Sequence, residues 1–151
     1  MSGLKRILIA EDNPNDLELT MIALGSYNLA NEVVAVRDGV EALDYLHGRG
    51  PFAGRPAGNP AIVMLDVKMP RVDGLEVLRR IRSEDGLRET PVVMLTSSRE
   101  ERDIVESYEL GVNAYVVKPV AFQEFVDAVR SIGLFWALLN EPPLKSVRRL
   151  E

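Results

Sequence analysis

The chain has 151 residues, 46% hydrophobic and 27% charged, which suits one ordinary globular domain and not a disordered segment. Lys and Arg number 18 against 23 Asp and Glu, and the formal charge of −5 counts against a nucleic-acid face built on phosphate contacts. With no cysteine and one histidine, disulfides, thiolate zinc sites, a cysteine nucleophile and multi-histidine metal centres are excluded together.

The segment from Met1 to Arg6 leads into Ile7-Leu8-Ile9-Ala10, an apolar run too short for a signal peptide and suited to a strand buried on both faces. Asn13 can cap a following helix, Pro14 suits its first turn, and Leu17, Met21 and Leu24 then recur at helical spacing. Val33 to Val36 is a second strand. Asp38 can cap a helix that carries Val40, Leu43 and Leu46 and ends near Gly48. Three glycines and three prolines between Arg49 and Pro60 mark a loop. Ala61 to Leu65 is a third buried strand, ending at Asp66. Beyond the turn Met69-Pro70-Arg71-Val72-Asp73-Gly74, a helix carries Leu75, Leu78 and Ile81. Val92 to Leu95 is the fourth strand, ending at Thr96, and Glu101 to Leu110 is helical up to Gly111. Ala114 to Val117 is the fifth strand, ending at Lys118-Pro119, and a last helix begins near Ala121. Five strands alternating with five helices predict an α/β fold, a doubly wound parallel sheet covered on both faces. No run reaches the roughly 18 apolar residues a membrane span needs, so the expected location is the cytoplasm.

The distinctive polar residues fall at one kind of place. Glu11 and Asp12 follow strand one, Asp66 follows strand three, Thr96 strand four and Lys118 strand five. Doubly wound sheets bind ligands in the crevice outside the carboxyl ends of their strands. If the sheet order is 2-1-3-4-5, strands one and three are neighbours and three carboxylates share a pocket. Two carboxylates about 4 Å apart repel by roughly 4 kcal/mol at an effective dielectric of 20, so such a cluster needs a cation or a proton. An all-oxygen donor set suits Mg²⁺ better than a soft metal. A single Asp at a strand end is more often a cap or turn former, but five matching positions are hard to obtain by accident. A hydroxyl, an ammonium and a divalent cation around one carboxylate are the parts for placing a phosphoryl group.

From about Lys5 to Ile132 the sequence resembles the CheY-like receiver domain of two-component response regulators. The motifs are Ala10-Glu11-Asp12-Asn13, Leu65-Asp66-Val67-Lys68-Met69-Pro70, Val72-Asp73-Gly74, Leu95-Thr96-Ser97, Gly111-Val112-Asn113-Ala114-Tyr115 and Lys118-Pro119. The resemblance implies a flavodoxin-like fold of five parallel strands in the order 2-1-3-4-5 with five flanking helices. It implies that Asp66 accepts phosphate from a histidine kinase, and that Glu11, Asp12, Asp66 and the Lys68 backbone carbonyl hold Mg²⁺. Thr96 and Lys118 would bind phosphoryl oxygens, with Thr96 and Tyr115 as the switch. Such a protein signals by contact and catalyses its own phosphotransfer and dephosphorylation; it is no enzyme acting on a separate substrate. A rival, the aspartate-nucleophile phosphatases, resembles Asp-x-Asp with a second acid, and Lys68 stands at that position. A receiver reduced to a binding module would lack Asp66, Thr96 or Lys118, and all three are present.

The expected division is a receiver over residues 1–132 and a helical extension and tail over 133–151, too short for a DNA-binding output domain. Phe122, Phe125, Val126, Val129, Ile132 and Trp136 fit one helical face, the usual core stripe. Leu134, Phe135, Leu138 and Leu139 spread the apolar surface around the helix before Pro142-Pro143. One reading folds the extension onto its own domain; the other makes it the interface of a homodimer. This extension and the Pro/Gly-rich loop are similar to stand-alone regulators partnered with phytochrome-type histidine kinases. A chemotaxis-type regulator or phosphorelay intermediate is the alternative. His47, near a helix C-terminus, reads as a surface residue suited to the dipole.

Overall fold

Burial on both faces decides where the central strands lie. The computed structural model describes residues 5–25, 31–97 and 108–131. The strands are β1 (Lys5–Ala10), β2 (Asn31–Val36), β3 (Ile62–Asp66), β4 (Val92–Thr96) and β5 (Ala114–Val117). They form one sheet in the order β2-β1-β3-β4-β5, with every neighbouring pair parallel. Every residue of β3 and β4 is buried, as are Ile7 to Ala10, which is why these segments read as unbroken apolar runs. β5, at the sheet edge, alternates buried and half-buried residues.

Alternate residues on each strand supply two separate cores. Leu8, Ala10, Val63, Leu65, Val92 and Met94 pack under helices α2 (Gly39–His47) and α3 (Gly74–Ser83). Ile7, Ile9, Ile62, Met64, Val93 and Leu95 pack under α1 (Pro14–Gly25) and α4 (Phe122–Ser131), the latter through Phe125 and Ala128. The sheet is therefore covered on both sides, and each fully buried Leu or Ile contributes about 1.5–3 kcal/mol.

The helix starts follow from their caps. The Asp38 carboxylate accepts from the Glu41 amide at 2.9 Å and that of Asp73 from the Glu76 amide at 2.9 Å. Asn13 Oδ1 accepts from the amides of Asn15 and Asp16 at 2.9 and 3.0 Å, and Pro14 opens α1. α2 stops at Gly48, whose φ of 66° is the left-handed conformation a side chain resists.

The structure corrects the expectations in two places. β1 and β2 start two residues earlier than their apolar runs, because parallel pairing continues through Lys5↔Asn31 and Arg6↔Glu32. The loop between Arg49 and Pro60 contains a 3₁₀ turn, Gly50–Phe52. It is stapled by Arg55, which donates to Tyr45 O at 2.6 Å, Leu46 O at 3.1 Å and Gly58 O at 2.9 Å. Four α-helices lie among the described residues. Of the helix expected over Glu101 to Leu110 only residues 108–110 are described, Tyr108 and Glu109 being helical. The extension, with Leu134, Phe135, Leu138 and Leu139, lies outside the described residues. Among the described residues no helix is long and apolar enough to cross a membrane.

A polar clasp closes the amino end of the sheet. Arg82, from α3, donates to Gly111 O at 2.8 Å, Thr90 O at 2.7 Å, Arg88 O at 3.0 Å and Asn113 Oδ1 at 2.8 Å. Asn113 Oδ1 also accepts the Val92 amide at 2.7 Å.

At the other end, α3 starts hard against β3. A Cβ on Gly74 would lie 2.1 Å from the backbone oxygen of Asp66, and one on Gly39 would lie 2.0 Å from that of Val72. Gly74→Ala must push α3 off the strand end, so it should lower the unfolding free energy by about 3 kcal/mol or more, read by urea titration.

Candidate functional site

The parallel register delivers the polar residues to one edge. Ala10 pairs with Leu65, so Glu11 and Asp66 leave neighbouring strands side by side. Asp66 pairs with Leu95 and Thr96 with Val117, and the Lys118 amide donates to Thr96 O at 2.7 Å. Carboxylate oxygens of Glu11, Asp12 and Asp66 all lie within 4.8 Å of one another. Glu11 and Asp66 are buried, 1% and 5% exposed, and Asp12 is exposed. Among the described residues these three are the group of acids close enough together that they could ligate one metal ion, and their all-oxygen donor set fits a hard divalent cation.

Lys118 closes the pocket from β5. Its Nζ donates to Glu11 Oε1 at 3.0 Å, Asp16 Oδ2 at 2.8 Å and Asp66 Oδ2 at 3.1 Å. An ammonium has three N–H groups, so all of its donors are taken. Burial alone would push its pKa down; the carboxylates of Asp16, Glu11 and Asp66 outweigh that and push it up. Glu11 goes the other way for an acid. Burial first, and Asp66 beside it second, push its carboxyl up from the ordinary 4.5 to about 7, against the Asn13 amide and Lys118.

A cleft of about 170 Å³ opens over this cluster, with Asp12, Asp66, Lys68, Thr96 and Lys118 on its walls. Thr96 is buried and Lys68 exposed; the Lys68 amide stands 3.4 Å from Asp66 Oδ1, a weak contact. Tyr115 is half-buried and stands apart from this cleft, its ring packed edge-on to Tyr108 at 5.9 Å. It borders a larger hollow of about 380 Å³ along β5 and α4, which holds none of the strand-end acids. His47 sits at the end of α2, 2.7 Å from Glu84 and away from the acids.

The structure thus gathers Glu11, Asp12, Asp66, Lys68, Thr96 and Lys118 in one place and leaves Tyr115 on its flank. Two residues of the site region escaped the sequence reading. Asp16 in the first turn of α1 looks like an ordinary acid favoured by the helix dipole, yet it contacts a lysine 102 residues away. Arg71 in the turn after Asp66 takes a φ of 69° and donates to Asp38 Oδ2 at 3.0 and 2.8 Å. Burial pushes the Asp38 carboxyl up, but the Glu41 amide and Arg71 outweigh it and hold it below its ordinary 3.8. That pair ties the loop following Asp66 to the start of α2.

The family described as "Response regulator receiver domain" matches residues 7–130. Response regulator Rcp1 of Synechocystis sp. is 36% identical over 87% of this chain and 88% of its own length. The solved bacteriophytochrome response regulator AtBRR is 62% identical with a TM-score of 0.85, over 93% of this chain and 100% of that one. Bacteriophytochrome response regulator RtBRR is 60% identical with a TM-score of 0.84, over 96% and 87% of the two chains. A structure of Rcp1 in its Mn²⁺-bound form is 34% identical with a TM-score of 0.74, over 92% and 99%.

Glu11 sets a pH dependence of stability. Its folded pKa lies above the ordinary value, so the native state holds more protons than the unfolded chain between pH 4.5 and about 7. In the presence of chelator, stability should fall as pH rises through that window, by about 3 kcal/mol at most. Asp38 acts in the opposite sense and below it, stabilising above its ordinary 3.8 and losing that as pH falls. Urea unfolding of wild type and Glu11→Gln at pH 5 and pH 8 checks this: the variant's curve should be flatter.

Proposed function

The chain belongs to the response regulator receiver family, and on that premise we propose that Asp66 is its phosphoacceptor. The observation that carries the reading is Asp66 itself: buried at the end of β3, bonded to Lys118, and within 4.8 Å of Glu11 and Asp12. Asp66 Oδ attacks the phosphorus of a phosphohistidine in line; the P–O bond forms, the P–N bond breaks, and the imidazole leaves. Lys118 offsets charge on the transferring oxygens, and the Thr96 hydroxyl donates to one of them. Added charge beside Thr96 draws that hydroxyl inward and biases the ring of Tyr115 on the adjoining strand. Glu11, Asp12, Asp66 and the Lys68 carbonyl are the groups to hold Mg²⁺. When bound, the ion supplies neutralisation of the crowded carboxylates and the phosphoryl oxygens. The Mn²⁺-bound form of the relative Rcp1 supports a divalent cation here.

The two bacteriophytochrome response regulators support a phytochrome-type histidine kinase as the phosphodonor, and the location we propose for the pair is the cytoplasm. The phosphatase reading is weaker, because the residue two after Asp66 is Lys68, which offers no general acid. We also propose a receiver over residues 1–132 followed by an extension that pairs two copies through Leu134, Phe135, Leu138 and Leu139. Burying those four residues is worth a gross 6–12 kcal/mol, roughly, per arm, much of it offset by ordering and association.

Two experiments decide these readings. Radiolabelling by a phytochrome-type histidine kinase with ATP should vanish in Asp66→Asn and slow by orders of magnitude in chelator or in Asp12→Ala. Full labelling of Asp66→Asn would refute the phosphoacceptor. Light scattering at tens of micromolar should give a dimer, and truncation after Ser131 a monomer. A monomeric mass for the full chain refutes the interface.

A further inference from the structure

Asp16 is the one partner of Lys118 that does not belong to the metal-ligating trio. It makes the shortest of the three contacts, 2.8 Å, and its side chain is 32% exposed where that of Glu11 is 0% and that of Asp66 is 8%. Its backbone amide is held by the Asn13 cap at 3.0 Å, which orients the first turn of α1. The caps of α2 and α3 spend the carboxylates of Asp38 and Asp73 on backbone amides. In α1 the Asn13 amide group does that work, so the Asp16 carboxylate is left to reach across the pocket.

We propose that Asp16 is a positioning residue that holds the Lys118 ammonium in the resting site and competes with an incoming phosphoryl group for it. The proposal rests on the reading of Asp66 as phosphoacceptor. A phosphoryl oxygen on Asp66 needs an N–H from Lys118, and the ammonium has none to spare. One contact must yield. Releasing Glu11 or Asp66 withdraws an N–H from a carboxylate that water barely reaches, which is costly. Releasing Asp16 leaves a carboxylate that water can reach. Asp16 is therefore the contact that gives way, and its grip is a brake on phosphotransfer. Asp16→Asn keeps the shape and removes the charge, while Glu11 and Asp66 still retain the lysine.

The test is a double-mutant cycle with phosphoramidate, a small P–N phosphodonor, on the full chain with Mg²⁺. Labelling rates are measured for wild type, Asp16→Asn, Lys118→Ala and the double variant, with donor raised until the slowest rate is measurable. Asp66→Asn in the same series must stay unlabelled; if it labels, the phosphoacceptor reading fails, whatever Asp16 does. Asp16→Asn should label about three- to tenfold faster than wild type, the scale of one partly exposed charged contact. In the Lys118→Ala background the same substitution should change the rate less than twofold. An unchanged or slower rate in Asp16→Asn overturns the proposal. So does an equal acceleration without the lysine, because Asp16 would then act through general charge or through the fold.

Discussion

One buried ammonium shared among carboxylates from three elements governs this molecule. Lys118, from the end of β5, touches Glu11 after β1, Asp16 in α1 and Asp66 at the end of β3. Positive charge is short there: with Asp12 nearby, one lysine faces more acids than it can neutralise. The protein answers by keeping Glu11 reluctant to ionise and Lys118 firmly charged. A pocket left short of cations is attractive to a divalent ion, and a preorganised one is suited to placing an anionic transition state.

That arrangement depends on the sheet more than on the loops. Parallel pairing brings every carboxyl end to the same edge, and burial on both faces holds the central strands rigid. The backbone of Asp66 is then clamped from the side by α3, with Gly74 as the point of contact. The loop after it is tied to the start of α2 by Arg71 and Asp38. The acid at the centre is held by its backbone, and its carboxylate lines the cleft with Lys118 as its partner.

Much of this is legible in the chain itself, for identifiable reasons. β3 and β4 announce themselves because strands buried on both faces must be apolar throughout, and the acids stand out as the residues that break such runs. Helix starts are legible through Asn13 and Asp38, whose caps are local. Asp16, Arg71 and Arg82 stay hidden because their partners are distant in sequence and no period marks them. The polar first residues of β1 and β2 escape for another cause: hydrogen-bonded pairing runs past the apolar stretch. The loop after α2 reads as open from its glycines and prolines, yet Arg55 fastens it to backbone oxygens, which any sequence supplies.

The Arg82 clasp lies at the end of the sheet farthest from the acids, joining α3 to the start of β4 and to Asn113 just before β5. The clasp commits one guanidinium to neutral oxygens, whereas the carboxyl end commits one ammonium to carboxylates. The amino end is thereby closed on acceptors that do not titrate, and the chemistry of charge is left to the edge where Thr96 and Lys118 stand.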